Sequence, residues 1–112
     1  MKIQSKQSTP DLEILELEGE LDFHSSGEVR SALAVLTDKQ TKKILIDLSQ
    51  VQYIDSSGLA TFVELFQKLK RYGGKLILFN LAPSVRSVFE IAKLDSIFHL
   101  AASEKDALSA VS

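Results

Sequence analysis

Two short apolar runs constrain this chain most: Ile44-Leu45-Ile46-Asp47-Leu48 and Leu76-Ile77-Leu78-Phe79. Neither alternates cleanly with polar residues, and the first is rich in branched side chains, so each reads as a strand covered on both faces. Between them Leu59, Phe62, Val63, Phe66 and Leu69 recur at helical intervals, and the pattern stops at Gly73-Gly74. A strand, an amphipathic helix and a second covered strand form a parallel crossover unit.

The rest of the chain extends this unit in both directions. Ile3 to Ser8 is polar and weakly alternating, and Leu12 to Glu18 interleaves Leu15 and Leu17 with Glu16 and Glu18, as a half-buried strand does. Thr9-Pro10-Asp11 between them reads as a turn, so a hairpin opens the fold. Ser25 stands at capping-box spacing before Glu28, and Val29, Ala32, Leu33 and Leu36 then mark a helix ending near Lys39 or Gln40. Pro83 sits where a helix starts, ahead of Val85, Val88, Phe89 and Ala92. Ile97-Phe98-His99-Leu100 reads as a last short strand, and Ser103 with Asp106 as a final helix start. The fold expected is α/β: a mixed, mainly parallel sheet of roughly four or five strands packed with about four helices, the opening hairpin at its edge.

Composition narrows the function. The chain has 112 residues, 45% of them apolar, enough for one domain over residues 1–112 with its own core. It has no cysteine, so disulfides, thiolate nucleophiles and zinc-thiolate sites are excluded. Its 13 basic residues against 15 acidic ones give a net charge of -2, and apart from Lys39/Lys42/Lys43 and Lys68/Lys70/Arg71 the cations are scattered. Nucleic-acid binding, which needs a concentrated cationic face, is not expected. No apolar stretch approaches the roughly 20 residues of a membrane span, and Met1-Lys2 does not lead into a signal-peptide core. These features point to a cytoplasmic protein with no membrane partner.

In open α/β sheets, ligands and partners gather where strands lead into helices at their carboxyl ends. Two such segments stand out, Gly19-Glu20-Leu21-Asp22-Phe23-His24 and Asp55-Ser56-Ser57-Gly58. The second puts hydroxyls on the first residues of a helix, where free N–H groups can face an anion. The plainer reading is that Asp55 or Ser56 caps the helix, a contribution of about 1 kcal/mol.

Gly19-Glu20-Leu21-Asp22, then Asp55-Ser56-Ser57-Gly58-Leu59, then Gly73-Gly74-Lys75-Leu76, in this order and at these separations, resemble the bacterial anti-sigma factor antagonists of the STAS domain family. The resemblance spans roughly residues 12 to 110 and implies a STAS-like fold over 1–112. It implies that Ser56 is phosphorylated by an anti-sigma factor serine kinase and dephosphorylated by a PP2C-type phosphatase. It also implies that Asp22, Asp55, Ser56, Ser57 and Gly58 form the partner-binding face of a protein that is a monomer when free and needs no cofactor. The other STAS-like reading is a subunit whose serine is never modified, serving as a structural or ligand-sensing part of a transport or signalling assembly.

Enzymatic readings fare worse. His24, Asp22 and Ser56 could form a nucleophile-base-acid set, but no Gly-x-Ser-x-Gly elbow surrounds the serine. No Gly-rich loop followed by Lys and Ser or Thr is present to hold a nucleotide, so a kinase partner must bring that machinery. His24 and His99 without a third ligand make no metal site, and His99 is expected to be half-buried. Phe62 and Phe66 are expected in the core. Leu65 and Tyr72 fall on the flank of the second helix, where exposure would make them partner contacts, and Glu64, Gln67, Lys68 and Arg71 read as a solvated face that could assist binding.

Overall fold

The computed structural model describes residues 1–112. Its elements are β1 (Lys2–Ser8), β2 (Leu12–Leu21), α1 (Ser26–Asp38), β3 (Lys43–Ile54), α2 (Ser56–Arg71), β4 (Lys75–Phe79), α3 (Pro83–Ile91), β5 (His99–Ala101) and α4 (Glu104–Val111). The five strands form one sheet in the order β1-β2-β3-β4-β5. Only the β1–β2 hairpin is antiparallel; the other three pairings are parallel. The α/β class, the edge hairpin and the central place of Ile44–Leu48 all agree with the sequence expectation.

Each parallel strand adds on the same side of its predecessor. Right-handed crossovers that always step in one direction leave every connecting helix on one face of the sheet. Val29, Leu33 and Leu36 of α1, Leu59, Phe62, Leu65 and Leu69 of α2, and Val85 and Phe89 of α3 accordingly share one core with Leu15, Leu17, Ile44, Ile46, Leu48 and Leu78. Only α4, which follows the last strand, reaches the opposite face, where Ala107 and Val111 pack with Ile14, Leu45, Ile77 and Phe79.

That single helix covers little, and β3 shows the consequence. The strand is buried on both faces from Ile44 to Leu48, but beyond it Val51 and Ile54 stay buried while Ser49, Gln50, Gln52 and Tyr53 are exposed. The sequence places its covered strand over residues 44–48; the element is longer because its second half needs cover on one face only. β4 pairs with β3 no further than Asp47↔Phe79, whereas β2 follows it to Leu21↔Ile54. A two-stranded ledge therefore projects at the carboxyl end of the sheet.

Several local expectations are corrected. Ser25 does precede α1, but its side chain makes no cap bond to the helix. The last strand starts at His99, with Ile97 and Phe98 in the turn before it. His99 is exposed, because β5 lies at the sheet edge and Phe98 is the side chain turned into the core. Leu65 is buried in the main core and so offers nothing to a partner. Tyr72 is half-buried and donates its hydroxyl to Thr41 O at 2.8 Å, and burial pushes its pKa up. Phe62 is fully buried and Phe66 partly so, edge-on to Phe98.

Candidate functional site

The ledge carries both segments singled out by the sequence. Leu21 and Ile54 are the last paired residues of β2 and β3, so Asp22 and Asp55 leave the sheet side by side. Asp55 donates its backbone N–H to Leu21 O at 3.1 Å, which extends the ladder by one bond and fixes where α2 begins.

Asp55 is the N-cap of α2, with extended backbone. Its Oδ1 accepts from the N–H groups of Ser57 at 2.8 Å and Gly58 at 3.1 Å, satisfying two donors that every helix start leaves free. Its Oδ2 accepts the N–H of Phe23 at 3.2 Å. One carboxylate thus closes the helix end and ties the first loop to the second.

The first loop is held by its own side chains. Asp22 Oδ1 accepts from the N–H of His24 at 2.9 Å and of Ser25 at 3.1 Å, while Ser25 Oγ accepts the Asp22 N–H at 3.0 Å and donates to Glu20 O at 2.7 Å. The Ser25 N–H, helped by the His24 N–H and the Ser25 hydroxyl, holds the Asp22 carboxyl below its ordinary pKa. Ser25, expected as a helix cap, instead locks this turn. Its oxygen finds nearer partners in the loop than in the helix, a competition open to every short hydroxyl or carboxyl side chain.

Gly58 explains how the two loops approach so closely. A Cβ on this residue would press into the Leu21 and Ile54 side chains and stand 2.7 Å from Leu21 O. Gly58 is buried, so its part in the site is to let α2 settle onto the end of β2.

Ser56 is exposed at the first position of α2, and Ser57 is half-buried. Ser56 is the one residue of the Asp55–Gly58 segment that points freely outward. Phe23, whose N–H is held by Asp55 immediately before Ser56 in the chain, is 74% exposed, with its ring 5.7 Å from that of His24 between centroids in a T-shaped arrangement. The sequence reading names Asp22 and passes over Phe23. The available signal is an aromatic residue set between Asp22 and His24 in a loop, where neither neighbour forms a core. Tyr53, 51% exposed on β3, stands near the same end of the sheet.

The remaining candidates disperse. Glu64 accepts from Arg30 Nε on α1 at 2.7 Å and lies 3.6 Å from Lys68 Nζ. The Arg30 guanidinium keeps the Glu64 carboxyl below its ordinary pKa. Arg30 and Glu64 join α1 to α2 at the surface with Lys68 beside them, while Gln67 and Arg71 are exposed, in keeping with the solvated face expected. No group of three His, Asp or Glu side chains is arranged to hold a metal ion. No helix is long and apolar enough to cross a membrane.

Comparison with known proteins gives a consistent result. The STAS domain model matches residues 4–107. An anti-sigma-B factor antagonist of Listeria monocytogenes is 33% identical over 100 residues, which cover 89% of this chain and 88% of that one. The anti-sigma-B factor antagonist of Bacillus subtilis is 33% identical over 102 residues, covering 91% of this chain and 92% of that one. Among solved structures, the Bacillus cell fate determinant SpoIIAA in its phosphorylated form matches with a TM-score of 0.76 at 25% identity, covering 99% of this chain and all of that one.

Proposed function

The chain belongs to the STAS domain family, and on that premise we propose that it is a cytoplasmic anti-sigma factor antagonist, one STAS unit that acts by partner switching. Unmodified, it binds an anti-sigma serine kinase through Asp22, the Asp55–Gly58 segment and the exposed side of α2, and frees what the kinase holds. Phosphorylation of Ser56 ends the complex, and a PP2C-type phosphatase restores it.

The observation that carries this reading is the Asp55 cap beside an exposed Ser56. A phosphoserine adds about -1.5 to -2 charges and strong acceptor oxygens. A free helix start would draw that anion inward, by up to about 2 kcal/mol in favourable geometry. Here Asp55 Oδ1 already holds the Ser57 and Gly58 N–H groups, so a phosphate on Ser56 meets a filled helix end and a neighbouring carboxylate. Like charges at 4 Å in water oppose each other by roughly 1 kcal/mol. With the pull of the helix start largely taken up by Asp55, what remains is a solvated repulsion of that size, too small to rearrange the fold.

Moving a complex from 99% to 1% formed takes about 5.5 kcal/mol, more than these solvated terms supply. The phosphate therefore acts where it is desolvated, inside the contact with the partner, where it clashes and strands buried groups. Ser56 lies within that interface and not beside it.

The test pairs the protein with each serine kinase of the anti-sigma type encoded in its source genome, with ATP, and reads intact mass. A gain of about 80 Da on wild type and none on Ser56→Ala is expected. Ser56→Ala should still bind the kinase and Ser56→Asp should not. Binding by Ser56→Asp together with loss of binding by folded Ser56→Ala would overturn the reading.

A further inference from the structure

The partner-binding loop holds an apolar side chain in water on an immobilised backbone. Both polar backbone groups of Phe23 are taken: its N–H goes to Asp55 Oδ2 at 3.2 Å and its carbonyl accepts from Ser26 Oγ at 3.3 Å. Its neighbours are fixed by the Asp22 and Ser25 bonds on either side. The ring itself is 74% exposed and touches only the edge of His24 within the aromatic contacts of the molecule.

The carboxylates of Asp22 and Asp55 hold backbone N–H groups of the two loops. Asp22 Oδ1 and both oxygens of Asp55 already accept backbone N–H groups, so they make little demand for a cation from outside. What the loop offers outward beside the exposed Glu20 and His24 is one large apolar ring, and the Asp55 that holds its amide leads directly to the exposed Ser56. A rigid aromatic loses little conformational freedom on binding, and residues of this type dominate interface energetics when they fill a pocket.

We propose that Phe23 is the anchor of the partner interface and a determinant of which kinase is recognised, its ring filling an apolar pocket on the anti-sigma-type serine kinase next to the place where Ser56 is seated. This inference rests on the function proposed above and adds to it the residue that selects among kinases. An apolar pocket also suits the switch, because a dianion placed beside it finds no compensating charge.

The experiment measures binding of wild type, Phe23→Ala, Phe23→Leu, Ile91→Ala and Ser56→Asp to the purified kinase that modifies Ser56, by calorimetry without ATP. Ile91 is 82% exposed at the far end of α3 and serves as an apolar surface control. Phe23→Ala is expected to weaken binding at least about tenfold, Phe23→Leu less, and Ile91→Ala less than about twofold. Phe23→Ala within twofold of wild type, with Ser56→Asp abolishing binding, overturns the anchor and leaves the proposed function standing. If no kinase binds wild type or modifies Ser56, both fall together. In the free protein, the Phe23 amide should show an order parameter near about 0.85 that drops in Asp55→Asn; a value below about 0.6 in wild type overturns the anchor without any partner.

Discussion

Phe23 donates its backbone N–H to the Oδ2 of Asp55, 3.2 Å away and 32 positions along the chain, while the other oxygen of the same carboxylate caps α2. The two loops that leave the sheet ledge are thus joined by one residue, and its loss should be felt in both.

Asp55→Ala removes the cap of α2 and the acceptor for Phe23 together. A destabilisation of about 1–2 kcal/mol is expected from the cap alone. Urea unfolding should show a lower midpoint with an unchanged slope, and amide exchange should quicken at Phe23, Ser57 and Gly58 ahead of the rest of the chain.

Gly58→Ala tests the close approach of α2 to β2. The added methyl meets the carbonyl of Leu21, which is backbone and cannot swing aside. Overpacking of this kind costs about 1–3 kcal/mol. The melting temperature should fall although alanine is the better helix former, a reversal that separates packing from propensity.

Ser25→Ala and Glu28→Gln distinguish the loop lock from a capping box. Ser25 is 8% exposed, and its hydroxyl serves both Asp22 N–H and Glu20 O. Its removal should cost about 1–3 kcal/mol through unsatisfied buried groups. Glu28 is exposed and makes no reciprocal cap, so Glu28→Gln should lie within about 0.5 kcal/mol of wild type by chemical denaturation.

Asp47 gives the acid limb of stability. Burial alone would push its carboxyl up, but the Ser49 backbone N–H and hydroxyl and the Lys6 ammonium outweigh this, and its pKa lies below the ordinary carboxylate value. A depressed pKa contributes stability that is full above the unfolded value of about 3.9 and is lost as pH falls through the lower folded value. Wild type should therefore lose its advantage over Asp47→Asn below about pH 4, and the difference should be constant between about pH 5 and 7. Thermal melts of both proteins across that range provide the check.

Much of this was readable before the fold. The period of α2, the stops at Gly73-Gly74 and the helix start at Pro83 are local signals, and the elements begin and end where they indicate. Gly73 has a φ of +78°, a backbone state open to glycine at little cost. Tertiary facts were less legible. Leu65 looks like a flank residue on a helical wheel, yet α1 packs against that side of α2 and buries it. Asp47 looks like a mere interruption of an apolar run, because its partner Lys6 stands 41 positions away at an irregularity of the edge strand. Phe23 is marked in the sequence only as an aromatic between polar neighbours; the bond that fixes its amide comes from Asp55, 32 positions along the chain, and no local pattern shows it.

The sheet runs in the same order as the chain, so no strand has to be inserted between two that are already paired. A chain emerging from the ribosome can add each strand to an open edge, and Asp22, Phe23, Asp55 and Ser56 are all made before β4 begins. The face proposed to bind a partner can therefore take shape on the first three strands, leaving the last two to widen a platform on which it already stands.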